Sequence, residues 1–262
     1  MTGNRGLRPM VRRRVEAAII IAVAFLVGAV CLPGGRSLAG EDDDVARVLI
    51  FSGRDIWRNG AFLHGGVLVA PGGFEQDGLM LKLMLGGGIY RYNAGSLGGE
   101  RVIGVTWTHQ AMAGFRIKRG NAEFKYFFGP EWERHKLRPS DTGNCLSGQN
   151  FGLRMTGELW YEPSRDVLIA SDVSISTIAT SHSSRLALGW RVAQELFTDG
   201  VYVGPEAQYF GSDGYRQRRI GVHITSMKTD ATEWSAAGGL ARDSDGRASL
   251  YLRLGLSQKL TD

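Results

Sequence analysis

The sequence predicts an all-β fold: an antiparallel outer-membrane β-barrel of about twelve strands, ten being the alternative count, placed after a cleaved signal peptide. Three observations predict it. An export-type leader opens the chain, and short alternating segments follow it to the last residues. Those segments run to about ten residues or more, the length a tilted strand needs to cross a bilayer, whereas soluble sandwich strands are nearer five or six. The alternation also sets an apolar face against a polar one. In the final segment Leu250, Leu252, Leu254 and Leu256 share one side, and Tyr251, Arg253, Gly255 and Ser257 the other.

The leader covers residues 1–39. Arg5, Arg8, Arg12, Arg13 and Arg14 form a basic start, Ala17 to Leu32 an apolar stretch, and Ser37-Leu38-Ala39 a small-x-small cleavage site. A retained membrane anchor is the alternative, but the apolar run stops short of the roughly 18–20 residues that span a bilayer. A lipid anchor at Cys31 is the other, but Val30 stands where a small residue is expected. Cleavage changes the charge argument. The whole chain is +5, yet residues 1–39 hold six of its 31 basic side chains and one of its 26 acidic ones, which leaves 25 of each. The basic excess belongs to the leader, so charge gives no case for a nucleic-acid partner. Cys145 remains alone, no disulfide forms within one mature chain, and no Cys/His cluster has metal spacing. No cofactor or metal is expected.

After an acidic tail at residues 40–46, which includes Glu41-Asp42-Asp43-Asp44, residues 47–262 read as a single β-barrel domain. Strands are predicted at 47–57, 61–70, 79–92, 101–117, 121–134, 151–162, 166–178, 183–196, 200–210, 216–227, 232–242 and 247–259. Turn chemistry separates them: Arg58-Asn59-Gly60, Pro71-Gly72-Gly73, Gly95 to Gly99, Arg119-Gly120-Asn121, Pro163-Ser164, Asp199-Gly200, Ser212-Asp213-Gly214 and Asp243-Ser244-Asp245-Gly246. An even count returns both ends to the periplasmic side. The longest predicted connection, His135 to Asn150, then falls outside, while Pro71 to Gly78 is long for a periplasmic turn and is where a register error would reduce the count to ten.

The sixth strand puts Phe151, Leu153, Met155, Leu159 and Tyr161 on one face and Arg154, Thr156 and Glu158 on the other. The seventh sets Val167, Ile169, Val173 and Ile175 against Asp172, Ser174 and Ser176. The eighth sets Leu186, Leu188, Trp190 and Val192 against Arg185, Arg191 and Glu195. Period alone does not say which face is inside, and a soluble barrel or sandwich with an apolar interior stays open. The leader, the strand lengths and aromatic residues near strand ends (Trp57, Tyr90, Tyr92, Tyr161, Phe210, Tyr215) favour the membrane. The polar face then lines a lumen holding Lys82, Lys125, Glu131, Arg154, Glu158, Asp172, Arg185, Arg191, Glu206, Arg219, His223 and Arg253. Buried charges are costly unless paired, so this lining is either a salt-bridged filling or a polar track for a sugar chain or ion. Gly129-Pro130-Glu131 recurs as Gly204-Pro205-Glu206. Proline removes a ladder donor, so each copy is expected at a bulge or an edge.

The segments Ser52-Gly53-Arg54-Asp55-Ile56-Trp57, Leu85-Gly86-Gly87-Gly88-Ile89-Tyr90-Arg91-Tyr92, Gly204-Pro205-Glu206, Tyr215 to Thr225 and Arg242 to Arg247 resemble the cellulose biosynthesis protein BcsS family of alphaproteobacteria, and the resemblance spans most of the mature chain. It implies an accessory or export component beside a bacterial cellulose synthase system, with outer-membrane lipid, cellulose or another glucan, and components of the synthase complex as partners. It carries over no catalytic residue.

The chain is therefore read as a non-enzymatic barrel, a narrow glucan-permeable pore or, alternatively, a closed structural barrel that docks envelope partners through loops such as His135 to Asn150. One enzymatic alternative is weighed. Outer-membrane lipid hydrolases resemble this chain in carrying a His-x-Ser pair on the lipid face, matched here by His182 and Ser184. The orienting polar residue of those enzymes would fall near Leu196, with Gln194 a poor substitute. Phosphate-binding loops and the Gly-x-Ser-x-Gly elbow are absent from the sequence.

Overall fold

The computed structural model describes residues 45–193, 200–229 and 231–260. The expected leader, most of the acidic tail, Cys31, Gln194, Glu195 and Leu196 lie outside the described residues. Twelve antiparallel strands follow one another: β1 (Val48–Trp57), β2 (Gly60–Val69), β3 (Gly78–Ala94), β4 (Glu100–Arg119), β5 (Ala122–Arg138), β6 (Gly148–Ser164), β7 (Val167–Ser176), β8 (His182–Val192), β9 (Val201–Ser212), β10 (Tyr215–Thr229), β11 (Thr232–Asp243) and β12 (Ala248–Leu260). Each pairs with its neighbours in sequence, and β1 pairs with β12 from Val48↔Leu260 to Trp57↔Tyr251, so the sheet closes and no edge is left. The ten-strand alternative is excluded: β2 and β3 pair in register on either side of the 70–77 connection.

The strands are tilted, as closure requires. The path of Cα partners that starts at Val48 passes Val69, Leu81, Ala113, Phe128, Met155, Ile175, His182 and Gly211 and reaches Arg216. It begins at the rim where the chain ends lie (the near rim) and finishes at the opposite, far rim.

Exposure settles the orientation of the two faces. Phe151 is 76% and Leu250 74% exposed, while Glu131 and Glu206 are 2% exposed. Apolar side chains point out and polar ones in, the inverse of a soluble core. The open alternative of a barrel with an apolar interior is overturned, because a continuous outer face of Leu, Val, Ile and Phe is stable against hydrocarbon and not against water. The buried apolar residues form only small inward groups, such as Leu68, Met80, Met112 and Phe127.

Two local expectations are corrected. The connection predicted from His135 to Asn150 is only 139–147, because β5 continues to Arg138 and β6 starts at Gly148. Alternation persists through His135 and Leu137, both buried, so the extra length is paired strand. The expected end of the eighth strand at 196 and the turn residue Asp199 lie outside the described residues; β8 is described to Val192 and β9 from Val201. Of the aromatic residues expected at the lipid interface only Tyr161 faces out. Trp57, Tyr90, Tyr92, Phe210 and Tyr215 share the inward parity. Outward aromatics include Phe115, Phe124, Tyr126, Tyr161, Trp190 and Trp234 toward the near rim and Trp107 and Phe151 toward the far one.

Candidate functional site

All twelve residues predicted for the lumen share the inward parity of their strands, and the structure joins them into separate groups. The first centres on Glu131 of β5. It accepts hydrogen bonds from Gln110 Nε2 at 2.8 Å, Arg154 Nε at 2.7 Å and Ser176 Oγ at 2.6 Å, drawing on β4, β6 and β7. The second centres on Glu206 of β9. It accepts from Arg185 Nε at 3.0 Å, Gln208 Nε2 at 2.5 Å, the Tyr251 hydroxyl at 2.9 Å and Arg253 at 2.7 Å. Arg185 also reaches Asp172 at 2.9 Å. The two glutamates share no partner. Each carboxylate is fully withdrawn from solvent yet surrounded by donors, which is the condition under which a buried charge is tolerated.

Longer side chains connect strands that are not neighbours. Lys82 of β3 bonds Glu158 of β6 at 2.9 Å and stands over the Phe127 ring at 4.9 Å. Arg219 of β10 meets both Asp55 oxygens of β1 at 2.8 Å, and its guanidinium lies among the rings of Trp57, Phe210 and Tyr251. Lys125 pairs with Glu123 at 2.6 Å, and Arg191 contacts the Tyr202 hydroxyl and Glu162.

The repeated Gly-Pro-Glu motif makes neither a bulge nor an edge. Pairing of β4 with β5 lapses between Gln110↔Glu131 and Ala113↔Phe128, and that of β8 with β9 between Ala187↔Glu206 and Trp190↔Val203. Equal numbers of residues are skipped on the two strands, so register is kept. Proline has no N–H to give, and the glycine before it packs directly on the facing strand: a Cβ on Gly204 would lie 2.0 Å from the Leu188 carbonyl oxygen. That carbonyl is served instead by His223 of β10, whose Nε2 donates at 3.0 Å while its Nδ1 accepts from the Thr225 hydroxyl at 2.9 Å. A carbonyl only accepts, so this geometry assigns the proton to Nε2. His223 thus closes the gap that Pro205 opens.

His182 and Ser184 lie on the outer face of β8, as their parity predicts. The His182 ring covers Gly211, stacks on Tyr209 at 5.5 Å, and has Nδ1 3.0 Å from the Thr180 carbonyl. No hydrogen bond joins it to Ser184 among the described residues. No group of His, Cys, Asp and Glu among them is arranged to hold a metal ion.

Sequence reasoning missed Gln110, Gln208, Asp55 and Glu123, and placed Ser176 and Tyr251 on the polar face without singling them out as partners. All lie on the inward parity of their strands, and that alternation was the signal available. Which inward residues meet across three strands depends on barrel shear, which no single segment encodes.

A family model described as "Cellulose biosynthesis protein BcsS" matches residues 49–260. No curated protein matches the chain. Among solved structures, an outer membrane channel from Pseudomonas putida F1 aligns with a TM-score of 0.52 at 11% identity, over 87% of this chain and 100% of that one. The beta domain of the Bordetella autotransporter Brka aligns with a TM-score of 0.50 at 11% identity, over 83% of this chain and 100% of that one. These likenesses are of fold.

Proposed function

The chain belongs to the cellulose biosynthesis protein BcsS family, and from that premise we propose that it is exported through a cleaved signal peptide at residues 1–39, resides in the outer membrane, and serves cellulose production as a narrow glucan-permeable barrel. One observation carries this reading: the Asp172 side chain is 49% and that of Glu158 31% exposed although both have inward parity. The lumen therefore keeps water-sized space beside its paired walls. A glucan is uncharged and rich in hydroxyls, and a surface of carboxylates and guanidiniums with the half-buried Trp160 ring beside it offers both hydrogen bonds and an apolar contact. Its role in this reading is non-enzymatic.

A closed scaffold is the second reading, favoured by the Lys82–Glu158 and Arg219–Asp55 bridges, each of which ties strands three apart. Single-channel conductance of the refolded mature chain, with and without cello-oligosaccharide, separates the two. Stable steps blocked by the sugar support the pore. A barrel that inserts and stays silent supports the scaffold, and deletion within 139–147 should then impair cellulose output while lumen substitutions do little. Loss of phospholipid or lipid A deacylation in Ser184→Ala would replace both with a lipid hydrolase.

A further inference from the structure

Charge on the outer face is arranged differently from charge in the lumen. Inside, the cations are matched to carboxylates: Lys82 to Glu158, Arg154 to Glu131, Arg185 and Arg253 to Glu206, Arg219 to Asp55. At the near rim Lys118, Arg119 and Lys259 are likewise matched to Glu75 or Asp77. At the far rim the outward cations are not. Arg216 and Arg218 open β10 and Arg242 nearly closes β11; all three are outward and exposed. Arg218 and Arg242 are direct cross-strand partners. Like charges directly opposite on one sheet face repel, and neither forms an ion pair among the described residues.

The neighbouring carboxylates are engaged elsewhere. Asp243 and Asp245 are both held by Arg58, at 3.4 and 2.5 Å. Asp213 accepts from the Thr180 hydroxyl at 2.6 Å. Arg216, His182 and Asp213 line a cavity of about 510 Å³ that opens at this rim. A second unpaired outward group stands at the same rim, Arg134, Lys136 and Arg138 on β5, with Arg91 and Arg138 flanking Ile103 in register. Directly below the Arg218/Arg242 pair the same face turns apolar: Ile220 faces Leu240 and Val222 follows.

A repelling cation pair set on top of an apolar strip matches a molecule that carries an anion at one end and hydrocarbon at the other. We propose that Arg218 and Arg242, with Arg216 beside them, bind the phosphorylated headgroup of a bilayer lipid whose acyl chains lie along Ile220, Val222 and Leu240. The guanidiniums supply forked donors to phosphate oxygens, and the phosphate removes the repulsion that the strand register imposes. This rests on the membrane reading above, and it makes the far rim the one that faces the phosphate-bearing leaflet.

The test is native mass spectrometry of the mature barrel refolded in non-ionic detergent, with bisphosphorylated lipid A, its dephosphorylated form, or inorganic phosphate. The bisphosphorylated lipid should be retained about tenfold over the dephosphorylated one, and R218Q/R242Q should lose that preference. Equal retention of the two lipids, or an unchanged preference in the double variant, overturns the site. So does inorganic phosphate raising the unfolding midpoint as far as the phosphorylated lipid, which would mean an anion sink. In lipid-free detergent R242E should unfold later than the parent chain, since it converts the repelling pair into an attracting one; earlier unfolding overturns the argument from register. Membrane fractionation keeps the two levels apart. A chain that does not fractionate with outer membranes sinks the membrane reading, and one that does but ignores the phosphate sinks this site alone.

Discussion

Replacing Glu206 by glutamine keeps the shape of the side chain and removes its charge. In the folded barrel that carboxylate receives four hydrogen bonds, two of them from the guanidiniums of Arg185 and Arg253. Arg185 keeps Asp172 at 2.9 Å after the change. Arg253 has no second carboxylate within ion-pair distance among the described residues, so the penalty falls mainly there. Breaking a buried ion pair on one side costs about 3–5 kcal/mol, and the partial wetting of the lumen places the expected loss near the lower end, about 3 kcal/mol. Urea unfolding of the refolded barrel, followed by far-ultraviolet circular dichroism, measures it. Adding Arg253→Met to Glu206→Gln should recover part of the loss, because the stranded charge goes with it. A loss below about 1 kcal/mol, the range of exposed pairs, or no recovery in the double variant, would refute the claim that desolvation makes this cluster costly to break.

Three further outcomes are expected. His223→Phe strands the Leu188 carbonyl and should cost about 1–3 kcal/mol in the same unfolding assay; Pro205→Ala, which supplies a backbone N–H opposite that carbonyl, should offset part of it. Asp172→Asn removes the most solvent-exposed anion of the lumen clusters, so if the barrel conducts, its cation-over-anion permeability ratio, read from reversal potentials in a salt gradient, should fall. Asp141, in the connection between β5 and β6, is held below the usual carboxylate range by hydroxyl hydrogen bonds from Ser96 and Tyr92 and by the Gly143 N–H. A depressed folded-state pKa stabilises above the unfolded value and is lost as pH falls through the folded one, so the connection should loosen below about pH 4. Tyr92→Phe should move that loosening to higher pH, as read by hydrogen exchange of residues 139–147.

The strands were legible because each carries its own period-2 code. Leu250 to Leu256 declares a two-faced strand without reference to the rest of the chain, and the predicted ranges differ from the observed ones by a few residues. The largest errors have one cause. β5 and β6 run beyond their apolar alternation into stretches such as Arg134 to Arg138, where the outward residues leave the hydrocarbon and become cationic, so the pattern fades although the hydrogen-bonded ladder continues. The inward aromatics were misplaced for a related reason. Trp57 and Tyr215 sit near strand ends, where an interface residue is expected, but parity alone decides their side.

The sequence by itself determined that this chain forms successive antiparallel strands with one apolar and one polar face, because alternation, strand length and turn chemistry are local properties. It also determined which charges share the polar face, since parity is local too, while the exposure of the two faces showed that this face is the inner one. Only the tertiary structure decided which of them meet. Glu206 finds Arg253, Arg219 finds Asp55 and Lys82 finds Glu158 through the tilt and closure of the sheet. The same register sets Arg218 against Arg242 on the outside. Those distances depend on how the last strand meets the first, a relation between residues about 200 positions apart that no stretch of sequence contains.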